Sequence, residues 1–203
     1  MISDHSKTLA MAGGLNEEML LNQGEEIDEL NEQLVGIRIL RGVELNILKD
    51  GSVDISDKIL EKLDVVSAGV HSLFNLNREE MTKRVLKAIE NPNVDMLCHP
   101  TGRQIQKREP IQLDMEKIIE AAKENDTILD IDSYPDRLDL KDEYIRKAVK
   151  VGAKLGISSD SHSKIHLHFL ELGIAQARRG WASAKDIVNT RKVEEFLRML
   201  KTS

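Results

Sequence analysis

Four of the six histidines stand at or just beyond the end of a short apolar run, and a glutamate closes a similar stretch. His5 lies in Ile2-Ser3-Asp4-His5-Ser6, and His71 in Gly69-Val70-His71-Ser72. His99 opens His99-Pro100-Thr101-Gly102-Arg103, His162 lies in Ser159-Asp160-Ser161-His162-Ser163, and Glu44 ends Arg41-Gly42-Val43-Glu44. Neutral imidazoles together with carboxylates make a ligand set for Zn, Mn or Fe. Asp160 and His162 are two residues apart, so in extended chain they face the same way and could serve neighbouring ions. Several such ends aimed at one basin could hold two or three metals, which activate water and clamp the oxygens of a phosphoester. A single histidine at a strand end is more often a cap or a core residue than a ligand; the repetition is what points to metal.

The positioning elements follow from periodicity. Apolar runs at 37–40, 65–70, 94–98, 128–131 and 155–157 read as buried strands. Amphipathic stretches at 17–34, 78–90, 114–124, 142–151 and 167–179 read as helices between them. Asn77 and Asp114 stand where N-caps belong, and Gly36 and Gly152 where a helix hands over to a strand. Strand then helix, repeated, means parallel strands with right-handed crossovers, as a doubly wound sheet or a barrel. In such folds reacting groups gather at the carboxyl ends of the strands. No composition break divides the 203 residues, which are therefore read as one domain.

Composition narrows the partners. Hydrophobic residues at 40% and charged residues at 32% fit a globular chain, and with 3% aromatics the core must be aliphatic. No apolar run approaches the roughly 20 residues that span a bilayer, and the start lacks a signal-peptide layout. A lone cysteine, Cys98, rules out an intrachain disulfide and suggests a cytoplasmic protein; preceding His99 in a strand, it should face the core. The net charge of −6 argues against a chain that grips nucleic acid over a broad basic face. A DNA substrate would be held by a partner domain or by a small local patch.

Taken together, the five motifs resemble the successive metal motifs of the PHP (polymerase and histidinol phosphatase) domain. Arg137-Leu138-Asp139-Leu140, Ala177-Arg178-Arg179-Gly180-Trp181 and Asn189-Thr190-Arg191 are similar to the branch at the C-terminus of bacterial and archaeal family X DNA polymerases. The resemblance runs along residues 1–203. It implies an α/β fold, a distorted (βα)7 TIM-like barrel of the PHP type, with up to three divalent ions, Zn or Mn, at the strand ends. It assigns Glu44 as a bridge between the first and second ions, His71 and His99 to the second, Asp160 to the first, and His5 with His162 to the third. Glu44, Asp160 and Arg103 would then be the catalytic groups, with Arg103 where a substrate phosphate could be met. Lys107 and Arg137 at the same rim are further candidates for substrate contact, although Arg103-x3-Lys107-Arg108 also reads as a solvated loop.

The sequence departs from the family in one respect. The first strand of the family carries a His-x-His pair and a following Asp, and no counterpart precedes Met1. His166-x-His168 has the spacing but falls at a helix start, and both residues are read as surface histidines. The expectation is an N-terminally truncated barrel holding fewer than three metals, the second site complete. Asp130 and Asp132 stand where the family tends to have Glu and Asn, as hydrogen-bond or substrate candidates. Trp181 is expected to pack the last helices.

The function implied is a metal-dependent phosphoesterase acting on DNA 3′ ends, as a 3′–5′ exonuclease or end-trimming nuclease, with polymerase domains as possible upstream partners and no membrane. One alternative is a phosphatase of small esters, like histidinol phosphatase. Another is an inactive or incomplete metal-binding fragment.

Overall fold

A computed structural model describes residues 1–9 and 13–201. Six strands lie side by side in chain order: β1 (Ile2–His5), β2 (Arg41–Asn46), β3 (Val65–Gly69), β4 (Met96–Leu97), β5 (Ile128–Asp132) and β6 (Leu155–Ser158). All five pairings are parallel. The sheet curls into a half-barrel consistent with a TIM-like architecture; among the described residues it has six strands, and β1 and β6 remain its edges. Helices α1 (Glu17–Gln33), α2 (Asp57–Leu60), α3 (Arg78–Ile89), α4 (Met115–Glu124), α5 (Asp142–Val151) and α6 (Leu170–Arg179) make the crossovers and cover, followed by a short α7 (Val193–Leu197).

The local signals act as their chemistry dictates. The side chains of Asn77 and Asp114 accept the backbone N–H groups of Glu80 and Lys117, which satisfies otherwise unpaired amides at the starts of α3 and α4. Gly152 ends α5 at φ +81°, a conformation that a side chain would strain. Gly36 also has a positive φ, but it lies beyond the C-cap Leu34 of α1.

Three sequence expectations shift. The run 37–40 is not a strand: the strand is Arg41–Asn46, so Glu44 lies inside β2 rather than after it. Ile37 is 64% exposed, whereas five of the six β2 residues are buried. β4 is pared to Met96–Leu97, and His99 beyond it leaves the extended region at φ +29°. His166 and His168 sit in a 3-10 helix, Lys164–Phe169, that precedes α6.

Strand alternation divides the sheet into two faces. Val43, Leu45, Val66, Leu97 and Leu129 pack with the helices in the main core. On the other face Val65, Met96 and Ile128 form an apolar floor with Leu40, Val188 and Leu200. Continuing along the strands on that face come Glu44, Ser67, Asp130 and Asp132, all buried. The concave face is thus apolar at the amino ends and polar at the carboxyl ends, where a site can form. At the β6 edge Asn189 stands in for a strand: its Oδ1 accepts the Ile157 N–H at 2.7 Å and its Nδ2 donates to the Ile157 carbonyl at 2.9 Å. Leu155 adds a parallel bridge to Ile187. Edge amides that would otherwise recruit another chain are thereby used.

Candidate metal centre

Glu44 is the hub. Its Oε1 lies 2.9 Å from Nε2 of His71 and 2.9 Å from Nε2 of His99. Its Oε2 lies 3.7 Å from Nδ1 of His5. The His5 and His71 rings meet edge to face at 5.1 Å, and those of His71 and His99 at 5.2 Å. Ligand atoms of His5, Glu44 and His71 all lie within 4.8 Å of one another. Histidines from β1 and from the ends of β3 and β4 therefore gather around one carboxylate on β2.

Proton positions around His71 can be followed outward through the network. Ser6 and Thr8 donate their hydroxyls to the buried Asp54, Ser6 at 2.7 Å and Thr8 at 2.5 Å. With its proton committed, Thr8 accepts from the amide nitrogen of Asn46. That fixes the amide so that Oδ1 faces His71 Nδ1, at 2.6 Å. An amide oxygen only accepts, so Nδ1 carries the proton and a neutral His71 turns an Nε2 lone pair toward Glu44 Oε1. Two lone pairs 2.9 Å apart require a proton or a cation between or beside them. The donor set fits a divalent ion on this ground, and the acceptor behind Nδ1 is the usual arrangement behind a metal-ligating histidine.

Burial pushes the Glu44 carboxyl up, but the close approach of His71 and His99 prevails and holds it well below the usual carboxylate range. Burial lowers His71 further than Glu44 can restore it. Burial also opposes the charged form of His99, yet the hydrogen bond and charge of Glu44 raise it to about 9. The pair thus divides into one neutral and one proton-holding imidazole around a single anion.

A second acidic group adjoins the first. Arg137 Nε lies 3.3 Å from Asp132 Oδ2 and 3.1 Å from Asp160 Oδ2. A guanidinium therefore balances the two carboxylates where the family resemblance places the first metal. Asp130 accepts the backbone N–H of His99 at 3.1 Å. Burial first, then neighbouring carboxylates, raise Asp130 and Asp132 above the ordinary range. Asp139 is raised by burial despite accepting both the N–H and the hydroxyl of Thr101.

The remaining expected residues lie farther out. His162 is exposed, its ring 6.2 Å from that of His5, with Nδ1 bonded at 2.9 Å to the carbonyl of Asp160. Arg103 donates to the carbonyls of Arg137 and Leu138, tying the β4 loop to the β5 loop. Lys107 pairs with Asp136. Arg108 donates to the Gly102 carbonyl and lies 3.9 Å over the Phe74 ring. Cys98, just beyond β4, is buried, and burial pushes its thiol up. Trp181 does not pack the last helices: it is 71% exposed, with the Arg146 guanidinium 4.1 Å over its ring.

Sequence reasoning missed Asn46 and Gly69. Asn46 lies two residues beyond Glu44, so the period of a strand would have put both on one face. At Gly69 an added Cβ would stand 2.7 Å from Cε1 of His99 and 3.1 Å from Cε1 of His71, so only glycine leaves room for both rings.

Known proteins are similar in sequence to this chain. No family model matches the chain. It is 40% identical over 200 residues to the DNA polymerase/3′-5′ exonuclease PolX of Bacillus subtilis, a match that covers 98% of this chain and 35% of that protein. It is 31% identical over 184 residues to a "probable phosphatase" of Thermoanaerobacter sp., covering 85% of this chain and 73% of that protein. A "probable phosphatase" of Acetivibrio thermocellus is 35% identical over 139 residues, with 64% and 55% covered. The chain thus spans about a third of the polymerase's length and most of the Thermoanaerobacter protein's, and it belongs to the family that these probable phosphatases share with the matched region of PolX.

Proposed function

We propose that this chain is a PHP-type, metal-dependent phosphoesterase that removes nucleotides from DNA 3′ ends. The observation that carries the chemistry is the Glu44 carboxylate shared by His71 and His99, with His5 in reach, at the carboxyl ends of neighbouring strands. The 3′-end substrate is favoured by the 40% identity to a polymerase whose name includes a 3′-5′ exonuclease. His5, Glu44, His71 and His99 would hold the ion, with Asp160 and His162 as further ligands at the rim. A divalent ion there supplies Lewis acidity toward a phosphoester oxygen and lowers the pKa of water.

The chain's own groups prepare that site. Asp54, Thr8 and Asn46 keep the proton of His71 on Nδ1. Asp130 holds the backbone of His99. Arg137 neutralises Asp132 and Asp160, so an anionic substrate meets less repulsion, and Arg103 fixes the backbone that carries Arg137. Arg137, Arg103 and Lys107 are the cations nearest an incoming phosphate in this reading.

Hydrolysis of a small phosphate ester is the second reading, favoured by the two relatives named as probable phosphatases. A single experiment separates the two. Chain loaded with Mn or Zn is incubated with a 5′-labelled single strand and, separately, with histidinol phosphate. Stepwise shortening that needs metal and disappears in Glu44→Gln supports the nuclease. Phosphate release from the ester with an intact strand supports the phosphatase, and neither product in metal-loaded protein overturns both.

A further inference from the structure

Beside the candidate metal centre lies an aromatic cluster that the chemistry above does not use. Tyr134 follows β5, and His166 and Phe169 belong to the 3-10 helix after β6. The His166 and Phe169 rings are stacked, 18° apart with centroids at 5.1 Å. Tyr134 stands edge-on to both, at 5.3 Å and 5.4 Å. All three are half-buried, in a chain with only 3% aromatic residues. The cluster is keyed to the site at two points. The backbone N–H of Tyr134 donates to Asp132 Oδ1 at 2.7 Å. Nδ1 of His166 accepts the backbone N–H of His162 at 3.2 Å. Packing of a loop could be achieved with aliphatic side chains, which the rest of this core uses. Three rings at the rim, one hydrogen bond from Asp132 at the end of β5 and one from the candidate ligand His162 beyond β6, offer something aliphatic groups lack: flat faces for another π-system.

We propose that Tyr134, His166 and Phe169 form a stacking subsite for the terminal base of a single-stranded 3′ end, next to the phosphodiester that the centre would cleave. The inference rests on the nuclease reading and adds a subsite to it. A base is one sugar away from its phosphate, so a platform adjoining Asp132 and His162 is placed where the base of a nucleotide held at the centre would lie. Stacking tolerates any base, which suits an exonuclease that must accept every terminal nucleotide. It also needs few cations, which suits a net charge of −6.

The test is binding of a short single strand carrying 2-aminopurine as its 3′ base, read by fluorescence quenching with calcium in place of a hydrolytic metal. We expect quenching by the wild-type chain and by Tyr134→Phe, and about tenfold weaker binding by Tyr134→Ala, within the range for loss of one base–aromatic stack. To separate stacking from any folding defect in Tyr134→Ala, a strand with an abasic 3′ end is used to displace the 2-aminopurine strand from the wild-type chain, and it should bind as weakly as the normal strand binds the alanine variant. Equal affinity for normal and abasic ends overturns the proposal. Metal-dependent hydrolysis of bis-p-nitrophenyl phosphate, which has no base, is measured in parallel. Its absence counts against the nuclease chemistry, whereas its presence with no preference for a terminal base counts against the stacking subsite alone.

Discussion

At the residue scale, what distinguishes this centre from a chance meeting of polar side chains is a chain of committed protons. Asp54 can only accept, so Ser6 and Thr8 donate; Thr8 then accepts from Asn46, and Asn46 accepts from His71. The consequence is testable away from any substrate. Asn46→Leu keeps the branched shape and removes the acceptor, and it should weaken divalent metal binding about 10- to 100-fold, the usual cost of losing an outer partner of a ligating histidine. Asn46→Asp retains an acceptor and should stay close to the wild type. Competition with a chromophoric chelator reads both, and an unchanged affinity for the leucine variant would break the proton argument. His71→Ala removes a donor outright and should abolish binding at this site in the same titration. The residue scale was also the most legible in sequence: His5, Glu44, His71 and His99 were marked by type and place alone. Asn46 was not, because an asparagine in a short polar stretch carries no signal until its strand face is known.

At the scale of elements, polar residues that make the site also disguise the strands that carry it. Val65–Gly69 and Ile128–Asp132 were readable because apolar residues dominate them. β2 was not, since Arg41, Glu44 and Asn46 interrupt it, and the apolar run just before drew the assignment four residues upstream. A parallel strand buried on both faces normally reads as continuously hydrophobic, so the breach of that pattern at β2 marks the function itself. β3 shows a different compromise. Gly69 weakens a strand but leaves space for two imidazoles. Gly69→Ala should therefore lower metal affinity at least tenfold while costing about 1–3 kcal/mol of stability, as overpacking of a tight site does. Thermal unfolding of the metal-free protein and metal titration together decide the matter: lost affinity in a folded protein is expected, and intact affinity would show that the rings can move aside. At the other edge, Asn189→Ala leaves the Ile157 amide and carbonyl without partners. It should destabilise the fold by about 1–3 kcal/mol and promote self-association, measured by denaturant unfolding and light scattering.

For the whole molecule, charge limits how DNA could be held. The net charge is −6, and the cations near the centre are already engaged: Arg137 with Asp132 and Asp160, Lys107 with Asp136, Arg103 and Arg108 with backbone carbonyls. Arg84, buried under the loops that follow β2 and β3, spends its guanidinium on the carbonyls of Ile47, Leu48 and Ser72. A chain of this kind can neutralise only one or two phosphates of a bound strand. Each neutralised phosphate on a single strand contributes about −0.7 to the slope of log K against log salt concentration. The affinity of this chain for a short single strand should therefore fall with a slope no steeper than about −1.5 between 50 and 200 mM salt. Fluorescence anisotropy measures it directly. A slope of −3 or beyond would require a basic track that neither the composition nor the arrangement of these side chains provides, and would shift the weight of recognition from stacking and metal to backbone charge. A shallow slope would assign the energy of binding to the end of the strand, as the charge and the aromatic rim both imply.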